Sequence, residues 1–138
     1  MKVLIDTSAW LALKIKNDIN HLRAKSAFKR YKTRRAIFFT NDYVLSEVYT
    51  RLIYDVHLKA ALKFRDQIRK SVDSNQLAFL EIDESERENT WEYLEKYQDH
   101  KLSFTDATII VNFTEMHLNE IFTFDSHFKE VNLPTNLS

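Results

Sequence analysis

The sequence predicts an α/β fold, a three-layer α/β/α sandwich around a central, mainly parallel sheet. Short apolar runs (Val3–Ile5, Ala36–Phe39, Leu77–Ile82 and Ile121–Phe124) alternate with longer segments of helical spacing, the texture of a sheet crossed by helices. The stretch ATIIVNF is apolar nearly all round, which marks a helix buried on every side. Acidic residues repeatedly sit where the apolar runs meet helix-like segments, at the strand ends where α/β sheets bind ligands.

Taken in order, Val3–Ile5 is a first central strand. The helix after it starts at Thr7 or Ser8, both good N-caps. A second helix spans roughly Asn20–Arg34 and leads into the strand at Ala36. A third covers about Asp42–Val56, with Leu45, Val48 and Leu52 on one face, and Leu58–Val72 continues as a fourth. Ser85 and Glu88 have the spacing of a capping box ahead of Trp91, Leu94 and Tyr97. The helix holding Asp106 runs to about His117, and Ile121–Phe124 closes the sheet. Residues 1–133 read as one domain and 134–138, with the lone Pro134, as a short polar tail that frays. Trp10 and Trp91 read as core anchors.

Composition removes several chemistries. The 138 residues include no cysteine, which excludes disulfides, thiolate zinc sites and cysteine nucleophiles, and which suits a reducing cytoplasm. They also include no glycine. Glycine-rich phosphate cradles need backbone positions that other residues reach only with strain, so P-loop and dinucleotide-binding folds are excluded. Left-handed turns must fall to other residues, and Asn17, Asn75 and Asn119 sit where such turns are expected. Twenty basic and twenty acidic side chains balance, so nucleic-acid contact must come from a local patch. No apolar run approaches the ~20 residues of a membrane span.

Four acids are the candidate site: Asp6 after VLI, Glu47 inside DYVLSEVYT, Asp106 in LSFTDATII and Asp125 after IFTF. Each has a plainer reading. Asp6 and Asp125 could cap the helices that follow, Glu47 could be a solvated edge residue, and Asp106 could form a capping box with Ser103. Together they suggest more. Four carboxylates within ~5 Å would repel by about 3 kcal/mol per pair at an effective dielectric near 20, so such a site takes up protons or holds cations. Oxygen ligands without cysteine or paired histidine suit Mg²⁺ or Mn²⁺ rather than zinc. His21, His57, His100, His117 and His127 have no ligand spacing and read as surface or edge residues; Asp42 and Asp99 read as caps or turn residues.

LIDTSAWLAL, TNDYVLSEVYTRL, KLSFTDATIIV and IFTFDSHF resemble, in this order, the signature segments of PIN domains, over about Lys2 to Val131. PIN domains are Mg²⁺/Mn²⁺-dependent ribonucleases, and many small members are VapC-type toxins of toxin–antitoxin pairs. The resemblance implies that Asp6, Glu47, Asp106 and Asp125 form the acidic metal site, with Thr7 and Ser103 as supporting polar residues. Thr40 and Asn41 match the polar strand end before the Glu47 helix. It also implies hydrolysis of an RNA phosphodiester that leaves a 5′-phosphate and a 3′-hydroxyl, with a small antitoxin as protein partner; apolar surface on Leu45–Val56 or Leu58–Val72 would serve a homodimer or another partner, or belong to the core. Where members often carry glycine, this chain reads DHK and HLNE.

For RNA contact, KRYKTRR (Lys29–Arg35) offers Arg30 and Arg34, although a basic helix C-terminus is also favoured by the helix dipole alone. Lys14 and Lys16 are candidates because Asp6 starts the helix they end. Glu81–Glu95, with seven acids and one arginine, should repel RNA. The competing functional readings are a catalytically silent PIN-type RNA- or protein-binding module and a stand-alone RNA-processing nuclease without an antitoxin. A phosphoacceptor signalling domain would need an acidic pair near the first strand and a lysine after the last; this chain has a single Asp6 and, after its last strand, Asp125.

Overall fold

A computed structural model describes residues 1–137. The strands are β1 (Lys2–Ile5), β2 (Ile37–Asn41), β3 (Leu77–Leu80) and β4 (Glu120–Phe122). The helices are α1 (Thr7–Lys14), α2 (His21–Thr33), α3 (Asp42–Asp55), α4 (Leu58–Asp73), α5 (Glu84–Lys96), α6 (Phe104–Glu115) and α7 (His127–Glu130). The four strands are all parallel, in the order β3-β2-β1-β4. Leu4 pairs with Phe39 on one side and Ile121 on the other, so β1 is central. Helices cover both faces, completing the three-layer α/β/α architecture. Because every strand runs the same way, every carboxyl end lies on one rim, and Asp6, Asn41 and Thr123 are delivered there together.

The core matches this layout. Val3, Leu4 and Ile5 of β1 are buried, as are Val44, Leu45, Val48 and Leu52 along α3. Trp10 packs edge-on against Phe64 of α4. The α6 segment Thr105–Asn112 is buried throughout, as its all-round apolar pattern predicts. Trp91 does not anchor the core: it is 56 % exposed and leans on Phe104. The capping box before α5 is made by Asp83 and Glu86 instead of Ser85 and Glu88. β3 ends at Leu80, two residues before the apolar run does, so the helix begins sooner and Asp83 reaches its first amides.

Helices α2, α4, α6 and α7 end in the same way. Arg35, Asn75, His117 and Asn132 take positive φ (51–64°) one residue beyond the C-cap. Each of these residues donates its amide to the carbonyl three residues back, and the next residue donates to the carbonyl five back, as in Ala36 to Tyr31. These are Schellman closures made without glycine. Asn75 falls where expected; Asn17 and Asn119 do not adopt this conformation, and Arg35 and His117 carry it despite their Cβ.

Residues 134–137 of the tail are docked, and Ser138 lies outside the described residues. Ile121 donates to the Pro134 carbonyl (2.9 Å), Thr135 bridges Ile121, and the Thr123 amide donates to Asn136 Oδ1 (2.7 Å). Residues 134–136 thus extend the sheet past the short edge strand β4. None of the described helices is long and apolar enough to cross a membrane.

Candidate active site

Asp6 follows β1 directly and is 3 % exposed. Its backbone carbonyl starts α1 by accepting from Ala9 and Trp10, but its carboxylate makes no capping hydrogen bond. Instead Oδ2 accepts from Thr123 Oγ1 (2.8 Å) and from Ser8 Oγ (3.3 Å). The Thr123 hydroxyl also accepts from the Asp125 amide (3.0 Å), and Ser8 Oγ accepts from the Phe124 amide (2.9 Å). The ends of β1 and β4 are therefore laced together by two hydroxyls, and Asp125 is placed beside Asp6. Burial pushes the Asp6 carboxyl up to about 7; the Thr123 hydrogen bond opposes this, and the charges of Asp106 and Asp125 add to it.

Asp106 lies in the first turn of α6. The capping box with Ser103 is present: the Ser103 hydroxyl accepts from the Asp106 amide, and Asp106 Oδ2 accepts from the Ser103 amide, both at 3.0 Å. The capping role and the site role coexist in one side chain. Burial makes it a weaker acid and holds its carboxyl above the usual carboxylate range; the Ser103 amide and His127 oppose this, and the charge of Asp125 adds to the rise.

His127, which spacing assigns to the surface, belongs to this group. Its Nδ1 lies 3.2 Å from Asp106 Oδ2 and 3.3 Å from Asp125 Oδ1. One ligand atom from each of Asp106, Asp125 and His127 lies within 4.8 Å of the others, close enough to share one metal ion. Glu47 is exposed and approaches from α3, where Thr7 Oγ1 donates to its Oε2 (3.0 Å). Asp6, Glu47, Asp106 and Asp125 line one open cleft of about 440 Å³, together with Thr7, Ser103 and His127. No Lys or Arg pairs with any of the four carboxylates among the described residues.

Two supporting residues act from behind the cleft. Asn41 is buried; its Oδ1 caps α3 by accepting from the Val44 amide (2.8 Å), and its Nδ2 donates to Thr108 Oγ1 (3.1 Å) and Asn112 Oδ1 (2.8 Å). It thereby ties the Glu47 helix to the Asp106 helix. Thr40 does not face the carboxylates: it is buried and accepts from Trp10 Nε1 (3.3 Å), so its role is in the core.

The basic candidates lie elsewhere. Arg30 and Arg34 end α2, which feeds the amino end of β2, so they stand on the rim opposite the acids. Five residues of strand separate the two rims by roughly 16 Å. Lys14 is at the far end of α1, about 12 Å along the axis from Asp6. Neither Lys14 nor Lys16 lines the acidic cleft; the arginine that does is Arg51, one turn beyond Glu47.

A parallel sheet whose carboxyl rim gathers carboxylates with no Lys or Arg pair among the described residues is an arrangement suited to a hydrolase centre of the nuclease type. The PIN domain family model matches residues 3–133, and the chain belongs to the PIN domain family. It is 26 % identical over 126 residues to the 23S rRNA-specific endonuclease VapC20 of Mycobacterium tuberculosis, covering 91 % of each chain. The crystal structure of that Sarcin-Ricin loop cleaving toxin superposes with a TM-score of 0.82 at 25 % identity, over 95 % of each chain. DNA-bound VapBC from Salmonella typhimurium shares the fold, with a TM-score of 0.67 at 16 % identity over 99 % of this chain and 97 % of that one.

Proposed function

We propose that this chain is a divalent-metal-dependent endoribonuclease and the toxin of a toxin–antitoxin pair acting in the cytoplasm, with structured RNA of the kind cut by VapC20 as its substrate class. The observation that carries the reading is the buried Asp6, set among Asp106 and Asp125 with no Lys or Arg counter-ion. Proteins do not gather desolvated carboxylates without a partner for the charge. Hard oxygen donors fit Mg²⁺ or Mn²⁺, and Asp6, Asp106 and Asp125 would hold the ion with Glu47 at the cleft edge. When bound, it supplies charge neutralisation for a phosphate and a more acidic water.

The chain's own residues supply position. Thr123 and Ser8 fix Asp6, Thr7 fixes Glu47, and the Ser103 amide fixes Asp106. His127 Nδ1, within hydrogen-bond reach of both Asp106 and Asp125, steadies their oxygens as an anionic phosphate approaches. The exposed apolar residues Ile53, Tyr54, Val56 and Leu58 at the α3–α4 corner support a protein-covered surface, which we assign to the antitoxin; a homodimer partner is the competing occupant.

The test is cleavage of a structured RNA with Mg²⁺, with Mn²⁺ and with chelator, beside Asp6→Asn and Asp106→Asn. Cleavage only with metal, lost in both folded variants, is the expected result. Equal cleavage by all three proteins would remove the enzymatic reading.

A further inference from the structure

A second cavity, of about 520 Å³, lies where the end of α1 meets the α3–α4 corner. Lys14, Lys16 and Lys63 line it. None of the three makes an ion pair among the described residues. Its one lining carboxylate, Asp55, is already engaged, since Arg51 Nε donates to its Oδ2 at 2.8 Å. Arg51 itself lines the acidic cleft, so this ion pair has one member in each space. Glu47 and Arg51 are four residues apart on α3 and project from the same face in successive turns. The line Glu47, Arg51, Asp55 therefore leads from the carboxylates into the lysine cavity.

Gathering cations costs free energy unless an anion is shared. Lys14 feels this directly: its ammonium is partly desolvated and pressed by the charge of Lys63, and both effects lower its proton affinity. We propose that this cavity binds RNA phosphates flanking the scissile bond, with Lys14 and Lys63 as contacts and Arg51 as the link to the cleft. The proposal rests on the nuclease reading above. An RNA strand whose scissile phosphate sits at the carboxylates must leave the cleft in some direction. The lysine cavity, reached along the Glu47–Arg51–Asp55 line, receives it.

The test uses the full chain carrying Asp106→Asn, so that RNA survives, and measures binding of a labelled single-stranded RNA by anisotropy across a potassium chloride series. Adding Lys14→Gln with Lys63→Gln should weaken binding roughly tenfold and flatten the salt dependence by about 0.7 per lost contact. Lys14→Arg with Lys63→Arg should restore both. Arg30→Gln with Arg34→Gln, on the opposite rim, should change neither. An unchanged salt slope in the lysine-to-glutamine protein, or the loss appearing in the Arg30/Arg34 protein instead, overturns the assignment. So does a polyglutamate peptide competing as well as RNA at equal charge, which would mark a site for acidic peptide. Metal-dependent cleavage by the otherwise unaltered chain is measured in parallel. If that cleavage persists undiminished in Lys14→Gln/Lys63→Gln, the cavity assignment fails alone. If the unaltered chain neither cleaves nor binds, the nuclease reading fails and takes the cavity with it.

Discussion

Replacing Asp6 by asparagine should stabilise the metal-free protein while abolishing cleavage. In the folded chain the Asp6 carboxyl is raised from 3.8 to about 7, chiefly by burial. A group whose folded value lies above its unfolded value contributes its full stability below the unfolded value and loses it as pH rises through the folded one. For Asp6 the window runs from about pH 4 to about pH 7. Roughly three pH units at 1.36 kcal/mol each set an upper bound of about 4 kcal/mol for the cost of the charge at pH 8. Asparagine keeps an oxygen for Thr123 and carries no charge, so about 2 kcal/mol of this should be recovered. Urea denaturation in chelator at pH 5 and pH 8 measures it. The variant's advantage should be small at pH 5 and grow to about 2 kcal/mol at pH 8. A stability difference that does not change between the two pH values would refute the reasoning, because the charge of Asp6 would then cost the fold nothing.

Asn41→Ala should destabilise the fold by about 2–4 kcal/mol, since it removes an N-cap and strands Asn112 Oδ1 in a buried site; chemical denaturation reads this. The same variant should lose catalytic rate out of proportion to its folded fraction, because α3 and α6 no longer hold Glu47 and Asp106 in fixed relation. Arg35→Gly and His117→Gly should each stabilise the protein by up to about 1 kcal/mol, as both positions hold positive φ with a Cβ present; a thermal melt of either variant below that of the parent would contradict the strain argument.

Much of the candidate site's placement was legible because Asp6, Asp106 and Asp125 stand at strand ends or helix starts that the apolar pattern already marks, while Glu47 lies inside α3. Asp6 after VLI and Asp106 after the capping Ser103 are located by local rules, and parallel pairing does the rest. Its plainer readings were not true alternatives: Asp106 caps its helix and faces the cleft with the same carboxylate. His127 was hidden because one histidine two residues from an aspartate has no spacing signature; only the α7 turn brings Nδ1 between two carboxylates. Asn41 was visible only as part of the polar strand end before α3, while its bonds to Thr108 and Asn112 span 67 and 71 residues and leave no local trace. KRYKTRR is the densest positive run, but a helix entering a strand from its amino end places that charge on the rim opposite the acids.

The docked segment after β4 connects the end of the described chain to the reaction centre. Asn136 grips the Thr123 amide, and the Thr123 hydroxyl grips Asp6. Peeling residues 134–136 away would bare an unprotected β edge, inviting strand-to-strand aggregation, and would loosen the hydroxyl that steadies the most buried carboxylate. A bulky tag fused close behind Asn136 would therefore sit only two hydrogen-bonded steps from the buried Asp6 carboxylate.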